Sequence, residues 1–268
     1  MRSLLERRER ALLIGVVHLR PLPGAVGFDG DDALLLARAA TDARALVEGG
    51  ADALVVENFG DAPFFKEAVP PETIAGLTLG VRAVQAAAPE VPVGVNVLRN
   101  DARAALGICA ATGASFLRVN VHVGAAVTDQ GIVEGRAAET LRERARLAPR
   151  AVLLADVHVK HAAPLRERPI EESAAETFGR GRADALILTG EATGAPPAPA
   201  EVVAVHERVP TAPLLIGSGL TPDNAAELAS VAAGAIVGTA LKEGGDVFAP
   251  VDPARVRRMR EALDALTR

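Results

Sequence analysis

Residues 31–56, DDALLLARAATDARALVEGGADALVV, decide the fold class because they join a helical pattern directly to the pattern of a buried strand. Apolar side chains recur at helical spacing on the face formed by Leu35, Ala39, Ala43, Leu46 and Val47. Charged residues fall on the other faces, which is typical of a helix that covers a core. Gly50 allows the helix to end, since glycine accepts positive φ, and the run at 53–56 is short enough for a strand.

The same order of strand and helix recurs along the chain. Eight short apolar runs are predicted as strands, at residues 12–17, 53–56, 91–98, 115–119, 151–157, 185–188, 213–216 and 235–237. Alternating strands and helices predict a parallel sheet, and eight units favour closure into a single (β/α)8 TIM barrel over a doubly wound sheet. We predict one barrel domain over residues 1–268, with an N-terminal extension at 1–11 and a closing helix at 252–268.

Composition narrows the function classes. The chain has 268 residues, 49% of them hydrophobic, and its formal net charge of −5 provides no basic surface for nucleic acid. Trp and Tyr are absent and the aromatic share is 3%, so stacking platforms for single-stranded nucleic acid are missing too. The charged N-terminus and the lack of any apolar run near the roughly 20 residues of a membrane span predict no export and no span. With Cys109 as the only cysteine, we expect a cytoplasmic protein.

Polar residues and glycines stand at the carboxyl ends of the predicted strands, where a (β/α)8 barrel carries its active site. In chain order they are His18, Glu57 with Asn58, Asn96, Asn120, Asp156 with His158, Thr189, Gly217 with Ser218, and Gly238 with Thr239. A single Asn or Thr in such a position is equally well explained as a helix cap. Eight such positions together favour a substrate cavity.

The most specific chemical signal lies after the seventh and eighth strands, in LIGSGLTPDN at 215–224 and AIVGTALK at 235–242. Glycines let backbone N–H groups approach an anion, and helices that begin near Pro222 and Thr239 would direct positive dipole ends at it. We therefore predict a phosphate site formed by Gly217, Ser218, Gly219, Gly238 and Thr239. The alternative is a plain tight turn, because Gly-Ser-Gly alone is a weak motif.

Asp156 and Glu57 are the predicted catalytic carboxylates. Either one can act as a general base, bind the hydroxyls of a ribose, or stabilise an oxocarbenium-like centre. His18 precedes a proline-rich loop, which predicts an imidazole held for acid–base work. Lys160 is predicted as a phosphate ligand, a proton donor, or, if burial lowers its pKa, an amine that forms a Schiff base. A helix cap for Asp156 and an exposed side chain for Lys160 are the structural alternatives.

Six further residues are predicted to orient the substrate: Asn96, Arg99, Asn120, His158, His161 and Thr189. No cofactor is predicted. A divalent metal held by His18, Asp156 and one of the two histidines that follow is an alternative, although these residues lack the short fixed spacing typical of metal ligands. His122 and His206 are interpreted as structural or exposed.

Two long loops follow predicted strands, at 58–73 and 189–199, and so lie on the active face. Both are candidate lids or specificity loops. The first carries Phe64 and Phe65, whose apolar side chains are equally well explained as contacts between copies of the chain. The loop with Phe64 and Phe65 thus predicts a homo-oligomer. The phosphate site described above predicts a phosphorylated small molecule as substrate.

Several blocks carry a resemblance to a known family: GVVHLRPLPG (15–24), VENFGDAPF (56–64), VGVNVLRND (93–101), FLRVN (116–120), TDQG (128–131) and ADVHVKH (155–161). Together they resemble the BtpA/SgcQ family over nearly the whole chain. The resemblance implies a cytoplasmic barrel of the ribulose-phosphate-binding type with a phosphoribosyltransferase-like or nucleosidase-like activity. It also implies a link to photosystem I biogenesis in one branch, and it assigns no catalytic residues.

The leading functional hypothesis is an enzyme that acts on a phosphorylated sugar or ribosyl compound by transfer or cleavage at C1. Isomerisation or aldol chemistry through Lys160 is the enzymatic alternative. A non-enzymatic assembly or stability factor on the same scaffold is the third, since fold alone never fixes function. An enzyme requires Asp156, Lys160 and Asn120 to converge on one cavity, whereas a scaffold does not.

Overall fold

The computed structural model describes residues 1–6 and 9–266. Its strands are β1 (Leu12–His18), β2 (Ala53–Glu57), β3 (Val93–Asn96), β4 (Phe116–Val119), β5 (Ala125–Thr128), β6 (Gly131–Glu134), β7 (Val152–Val157), β8 (Ala162–Pro164), β9 (Ala185–Leu188), β10 (Leu214–Ile216) and β11 (Gly234–Val237). Eight of them are parallel and form a closed barrel in the order β1-β2-β3-β4-β7-β9-β10-β11, with β11 pairing back to β1. The predicted (β/α)8 barrel is thus confirmed.

Helices connect the barrel strands, except that the first helix precedes β1 and the last follows β11. They are α1 (Arg2–Leu5), α2 (Asp32–Glu48), α3 (Pro71–Ala87), α4 (Ala102–Thr112), α5 (Ala137–Leu147), α6 (Ile170–Gly179), α7 (Pro199–Arg208), α8 (Ala225–Leu228) and α9 (Pro253–Asp264). Asp31 begins α2 by accepting a hydrogen bond from Leu34 N, and Asp101 begins α4 in the same way from Ala104 N. These caps satisfy N–H groups that a helix terminus leaves unpaired.

Alternation along the strands separates two apolar layers. On β4, Leu117 and Val119 pack outward in the main core under the helices, whereas Phe116 belongs to the cluster inside the barrel. Gly94 on the neighbouring β3 leaves the room that this ring occupies, since a Cβ there would collide with it. The next inward residue on β4 is Arg118, so the apolar layer supports a polar one at the mouth.

A small antiparallel sheet of β6, β5 and β8 lies on the active face, and sequence patterns did not predict it. The hairpin between β5 and β6 turns over two residues, Asp129 and Gln130, with Gly131 at φ +92°. Val121, Ala126, Val133 and Val159 form its own apolar cluster. The strands are three or four residues long and half exposed, so they give only a weak apolar signal.

One helix boundary differs from the predictions, and the short helix predicted near Thr239 begins where it was expected. The helix expected near Pro222 is the single turn α8, which begins at Ala225, because Asn224 bonds back to Thr221 N and Gly219 O and forms a turn first. The segment at Thr239 is a 3-10 turn, Thr239–Leu241. The closing helix predicted at 252–268 is α9, and residues 267–268 lie outside the described chain, as do residues 7 and 8 of the extension.

The two longest helices among residues 1–6 and 9–266, α2 and α3, have 17 residues each. None of the described helices is both long and apolar enough to cross a membrane.

Candidate active site at the barrel mouth

A row of polar side chains crosses four adjacent strands at the carboxyl end of the barrel. His18 pairs in register with Glu57, Glu57 with Asn96, and Asn96 with Arg118. All four are inward-facing positions by strand alternation, and Glu57, Asn96 and Arg118 are buried. The sheet register therefore brings together residues that lie up to a hundred positions apart in the sequence.

Arg118 joins the two buried carboxylates of the mouth. Its Nε and Nη2 donate to both oxygens of Asp156 at 2.9 Å each, and its Nη1 donates to Glu57 Oε1 at 3.3 Å. Asn120 Nδ2 donates to Asp156 Oδ2 at 2.7 Å, and Asn96 Nδ2 donates to Glu57 Oε1 at 3.1 Å. Both oxygens of Asp156 are thus engaged, whereas Glu57 Oε2 accepts no hydrogen bond from the described residues.

The charges of this cluster stabilise one another. Burial alone favours the neutral forms, but Asp156 and Glu57 raise the pKa of Arg118 above its usual value. For Glu57, burial raises the pKa, but the opposing charge of Arg118 and the smaller effects of His18 and Lys160 leave the pKa lowered overall. Glu57 is therefore ionised at neutral pH even though the chain encloses it.

His18 is a neutral imidazole at neutral pH. Burial lowers its pKa to about 4, against a smaller opposing effect of Glu57. The 3.9 Å between His18 Nε2 and Glu57 Oε2 is therefore not an ion pair under these conditions. The ring lies 4.6 Å from that of Phe59, centroid to centroid, and its Nδ1 is buried without a hydrogen-bond partner in the described chain.

Lys160 follows β7 and enters the mouth from the opposite side. Its backbone N–H donates to Thr189 Oγ1 at 2.9 Å, and its carbonyl accepts from Arg99 Nη2 at 2.7 Å. His158 and His161 on either side of it have left-handed backbones, at φ 52° and 56°, a conformation that costs non-glycine residues energy. Burial and the nearby Arg118 lower the pKa of Lys160, and its ammonium forms no ion pair within residues 1–6 and 9–266.

The loops after β10 and β11 line a cavity of about 170 Å³ that also contacts His18, Glu57 and Lys160. We call it the β10–β11 compartment, and its loop walls are residues 217–221 and 238–240. The backbone N–H groups of Ser218, Gly219 and Gly238 bond to nothing in the described part of the chain.

Two of these glycines are required by close packing. Gly219 has φ +65° and abuts the backbone of Pro196, which leaves no space for a Cβ. At Gly238, a Cβ would lie 2.9 Å from His18 Cε1. The glycines thus bring the N–H groups of the loops close to the imidazole and the cavity.

A second cavity of about 550 Å³ adjoins the first and shares Glu57, Arg118, Lys160 and Thr193 with it. We call it the phenylalanine compartment. Its walls include Phe59, Phe64, Leu98 and Phe248, and its floor includes Asn96 and Asn120. The mouth of the barrel therefore has a loop-amide half and an aromatic half on either side of Glu57.

Comparison with known proteins places the chain in a family. The model of the BtpA family matches residues 8–265. The chain belongs to the BtpA family. It is 44% identical over 251 residues to the photosystem I biogenesis protein BtpA of Synechocystis sp., covering 94% of this chain and 87% of that protein. An uncharacterized protein of Thermococcus kodakarensis is also 44% identical, over 96% of this chain and 97% of its own.

Solved structures similar to this BtpA-family protein share its fold at low sequence identity. Phosphoribosyl anthranilate isomerase from Thermus thermophilus has a TM-score of 0.59 at 14% identity, covering 96% of this chain and all of that one. Tryptophan synthase from M. tuberculosis also has a TM-score of 0.59, at 21% identity, over 97% and 94% of the two chains. These similarities show the barrel fold alone.

Of the predicted catalytic residues, the BtpA-family barrel brings His18, Glu57 and Lys160 to one cavity wall. Asp156 lies directly behind Arg118 and borders a different cavity, beneath the small sheet. Arg99, Asn96 and Asn120 line the phenylalanine compartment.

Three other predicted residues bond to segments outside the barrel strands, although Ser218 also lines the β10–β11 compartment and His161 also lines the phenylalanine compartment. The Ser218 hydroxyl accepts from Gly190 N and donates to Ala195 O. His158 Nε2 contacts the Ser173 hydroxyl at 3.0 Å, and His161 Nε2 contacts the Thr193 hydroxyl at 2.9 Å. Neither histidine is directed at Asp156, and no group of three or more His, Cys, Asp or Glu in the described residues is arranged to hold a metal ion.

Arg118 is the principal residue that sequence reasoning missed. It lies inside β4, whereas the predicted site residues end or follow the apolar runs. Strict alternation carried the signal, since Phe116, Arg118 and Asn120 occupy one face of the strand. Phe59 and Phe248 were also missed, because they lie in loops that only the fold brings together.

Proposed function

We propose that this BtpA-family protein is an enzyme that acts on a phosphorylated sugar or phosphoribosyl compound, by transfer or cleavage at the sugar C1. One observation supports this most: unpaired loop amides and an ionised, buried carboxylate with a free oxygen face the same cavity. Asn120 and Lys160 lie on the adjoining compartment, and Asp156 holds Asn120 in place. Of the three residues expected to converge in an enzyme, Asn120 and Lys160 line one compartment, whereas Asp156 borders a different cavity and acts on this one only through Arg118 and Asn120.

The phosphate end is proposed to lie in the β10–β11 compartment. The free N–H groups of Ser218, Gly219 and Gly238 provide donors at fixed positions, and a nest of backbone N–H groups binds anions without any side-chain charge. Lys160 borders the same space and adds positive charge. The helix α8 has only four residues and so contributes little dipole to this site. The backbone N–H groups of the loops therefore provide the binding.

Glu57 is the carboxylate proposed to face the reacting carbon. Its Oε2 is free, it borders both compartments, and it stays ionised, so it can stabilise positive charge that develops at C1. Asp156 has both oxygens occupied and therefore positions Arg118 and Asn120. Neutral His18, 3.9 Å from Glu57 Oε2, is proposed to pass a proton between substrate and solvent.

The phosphate site is tested by a thermal-shift screen with ribose 5-phosphate, phosphoribosyl pyrophosphate and inorganic phosphate. A ligand at 100 times its Kd stabilises the protein by about 2.7 kcal/mol. Ser218→Asp should lose the shift, since its carboxylate repels the anion, while Ser218→Ala is the matched control that removes the same loop hydrogen bonds without adding charge. Equal shifts in the two variants, or none in the wild type, would contradict the site.

The reaction is tested with Glu57→Gln. This variant keeps a hydrogen-bonding side chain of the same size but loses the negative charge, so bound phosphosugar should persist while turnover at C1 falls at least about 100-fold, as for loss of one electrostatic group. The control is Glu227→Gln on the exposed face of α8, which should change neither. Undiminished turnover in Glu57→Gln would remove the carboxylate from the mechanism.

A second candidate reaction, aldol chemistry or isomerisation, is favoured by the buried Lys160 with its lowered pKa. Its amine would attack a substrate carbonyl, lose water to give an imine, and be trapped by borohydride as a stable secondary amine. A Lys160 adduct found by mass spectrometry with any sugar phosphate supports this reaction. Its absence with every sugar phosphate tried counts against it.

An assembly role, suggested by the name of the Synechocystis relative, is the non-enzymatic alternative. It gains support if no phosphorylated compound stabilises the chain.

Contact with a second copy also stays a prediction. Phe64 lines the phenylalanine compartment, but Phe65 is 56% exposed and free for such a contact.

A further inference from the structure

The phenylalanine compartment contains two buried hydrogen-bond acceptors that nothing in the described chain satisfies. Asn96 Oδ1 and Asn120 Oδ1 both lack a partner, although the two residues are only 1% and 3% exposed. Their orientation is fixed, since each amide NH2 group must donate to a carboxylate, Glu57 in one case and Asp156 in the other. Both residues line the compartment, but the oxygens themselves are almost fully enclosed, so a ligand in the cavity reaches them only after a neighbouring side chain shifts.

Aromatic rings form the wall beside these acceptors. The rings of Phe59 and Phe248 lie 6.0 Å apart at 51°, and Phe59 also contacts the His18 ring. Phe248 stands at the rim and is 72% exposed, the second-highest exposure among the large apolar side chains of the described residues. A large aromatic side chain left open beside a cavity offers a flat face to a ligand.

The two features together restrict the ligand. A purely apolar group would leave both Asn oxygens unpaired, and buried acceptors without partners are costly. A sugar alone would supply hydroxyl donors but would leave the phenylalanine faces uncovered. A planar ring that carries N–H or O–H donors at its edge meets both requirements at once.

We propose that the phenylalanine compartment binds a flat, nitrogen-bearing ring whose edge donates two hydrogen bonds, to Asn96 Oδ1 and Asn120 Oδ1. The ring would be linked to the phosphorylated sugar of the β10–β11 compartment, so this inference rests on the proposed function. Glu57 borders both compartments and so lies beside the bond between ring and sugar. Phe248 and Phe59 thereby determine specificity for the ring.

The test compares the Kd of ribose 5-phosphate with those of AMP, GMP, CMP and UMP by calorimetry. Adenosine, cytidine and inorganic phosphate are titrated in the same way. At least one ring-bearing compound should bind tenfold or more tightly than ribose 5-phosphate. Phe248→Ala should weaken that compound by roughly 2- to 12-fold, the range for one aromatic contact, and leave ribose 5-phosphate unchanged. Phe65→Ala, an exposed phenylalanine that does not line the compartment, is the matched control and should change neither.

The acceptors have their own variant. Asn96→Leu removes the oxygen at similar size, and it should weaken the ring-bearing compound more than ribose 5-phosphate. Because this residue is buried, the free energy of unfolding of the variant is measured first, and Phe248→Ala carries the conclusion if Asn96→Leu does not fold.

The outcomes separate this inference from the proposed function. Ribose 5-phosphate and all four nucleotides binding equally would overturn the ring site while leaving the phosphate site intact. Binding of adenosine or cytidine without binding of ribose 5-phosphate or phosphate would support the ring site and contradict the phosphate site. No binding by any of these compounds would overturn both.

Discussion

Replacing Arg118 by Met is the sharpest test of the charge arrangement at the mouth. The variant keeps much of the side-chain volume but leaves Glu57 and Asp156 without their shared cation, 3.3 and 2.9 Å away in the wild type. Removing one partner of a buried ion pair costs about 3–5 kcal/mol. Arg257→Met is the matched control, since its contact with Glu48 is exposed on both sides and should be worth less than about 1 kcal/mol.

The stability lost in Arg118→Met should also depend on pH. In the wild type, Arg118 lowers the pKa of Glu57, so Glu57 contributes stability that is present above its unfolded pKa and lost as the pH falls. In the variant, burial dominates and raises that pKa, so protonation relieves the uncompensated charge. The difference in unfolding free energy between wild type and variant should therefore narrow as the pH falls from 8 to 5.

Urea denaturation followed by circular dichroism at four pH values measures both effects. A difference below 1 kcal/mol at pH 7, or one that is constant or widens towards pH 5, would refute the argument. If Arg118→Met does not fold at pH 7, the triple variant with Glu57→Gln and Asp156→Asn should restore folding, since it removes the uncompensated charges. Failure of this triple variant to fold would show that Arg118 matters for its shape and not its charge.

Two further predictions concern neighbouring groups. Asp42→Asn should lower the free energy of unfolding by about 3–5 kcal/mol in urea denaturation, because it breaks the buried 2.9 Å ion pair with Lys242. A loss as small as that of the exposed control Glu48→Gln would contradict this. The His18 imidazole should stay neutral in NMR titrations down to about pH 4. Because its pKa in the folded state lies below that in the unfolded state, the stability it contributes is lost as the pH falls from 6.5 towards 4. A titration resolved near pH 6.5 would show that burial does not lower this pKa.

The barrel could be predicted from sequence because each of its strands is a local pattern. All eight predicted runs overlap observed barrel strands. The largest difference in strand boundaries is at 91–98, where β3 covers only Val93–Asn96. Val97 and Leu98 are apolar and buried but lie beyond the last paired residue of β3, so hydropathy overestimates the length of the strand. The small sheet was missed because its strands are short and half exposed, although the turn at Thr128–Gly131 marks a hairpin.

The candidate site was predictable only as far as strand ends are predictable. His18, Glu57 and Asn96 follow or end apolar runs, so their place at the mouth follows from the barrel alone. His158 and His161 were grouped with Asp156 by proximity in sequence, but their left-handed backbones turn them towards Ser173 and Thr193. No sequence pattern available here indicates such a backbone conformation at a histidine.

The burial of Arg118 with two carboxylates also bears on function. Well-packed apolar residues in place of a buried ionic cluster are often neutral or stabilising by about 1–4 kcal/mol, so stability does not require this cluster. The layer directly beneath it, with Val16, Val55 and Leu154, is wholly apolar and shows what the barrel interior can accept. The charges begin only where the cavity begins, at Glu57 and Arg118. This position favours the proposed function, in which the cavity binds a ligand. The variants of Arg118 and Glu57 test that proposal separately, the first by its effect on stability and the second by its effect on turnover.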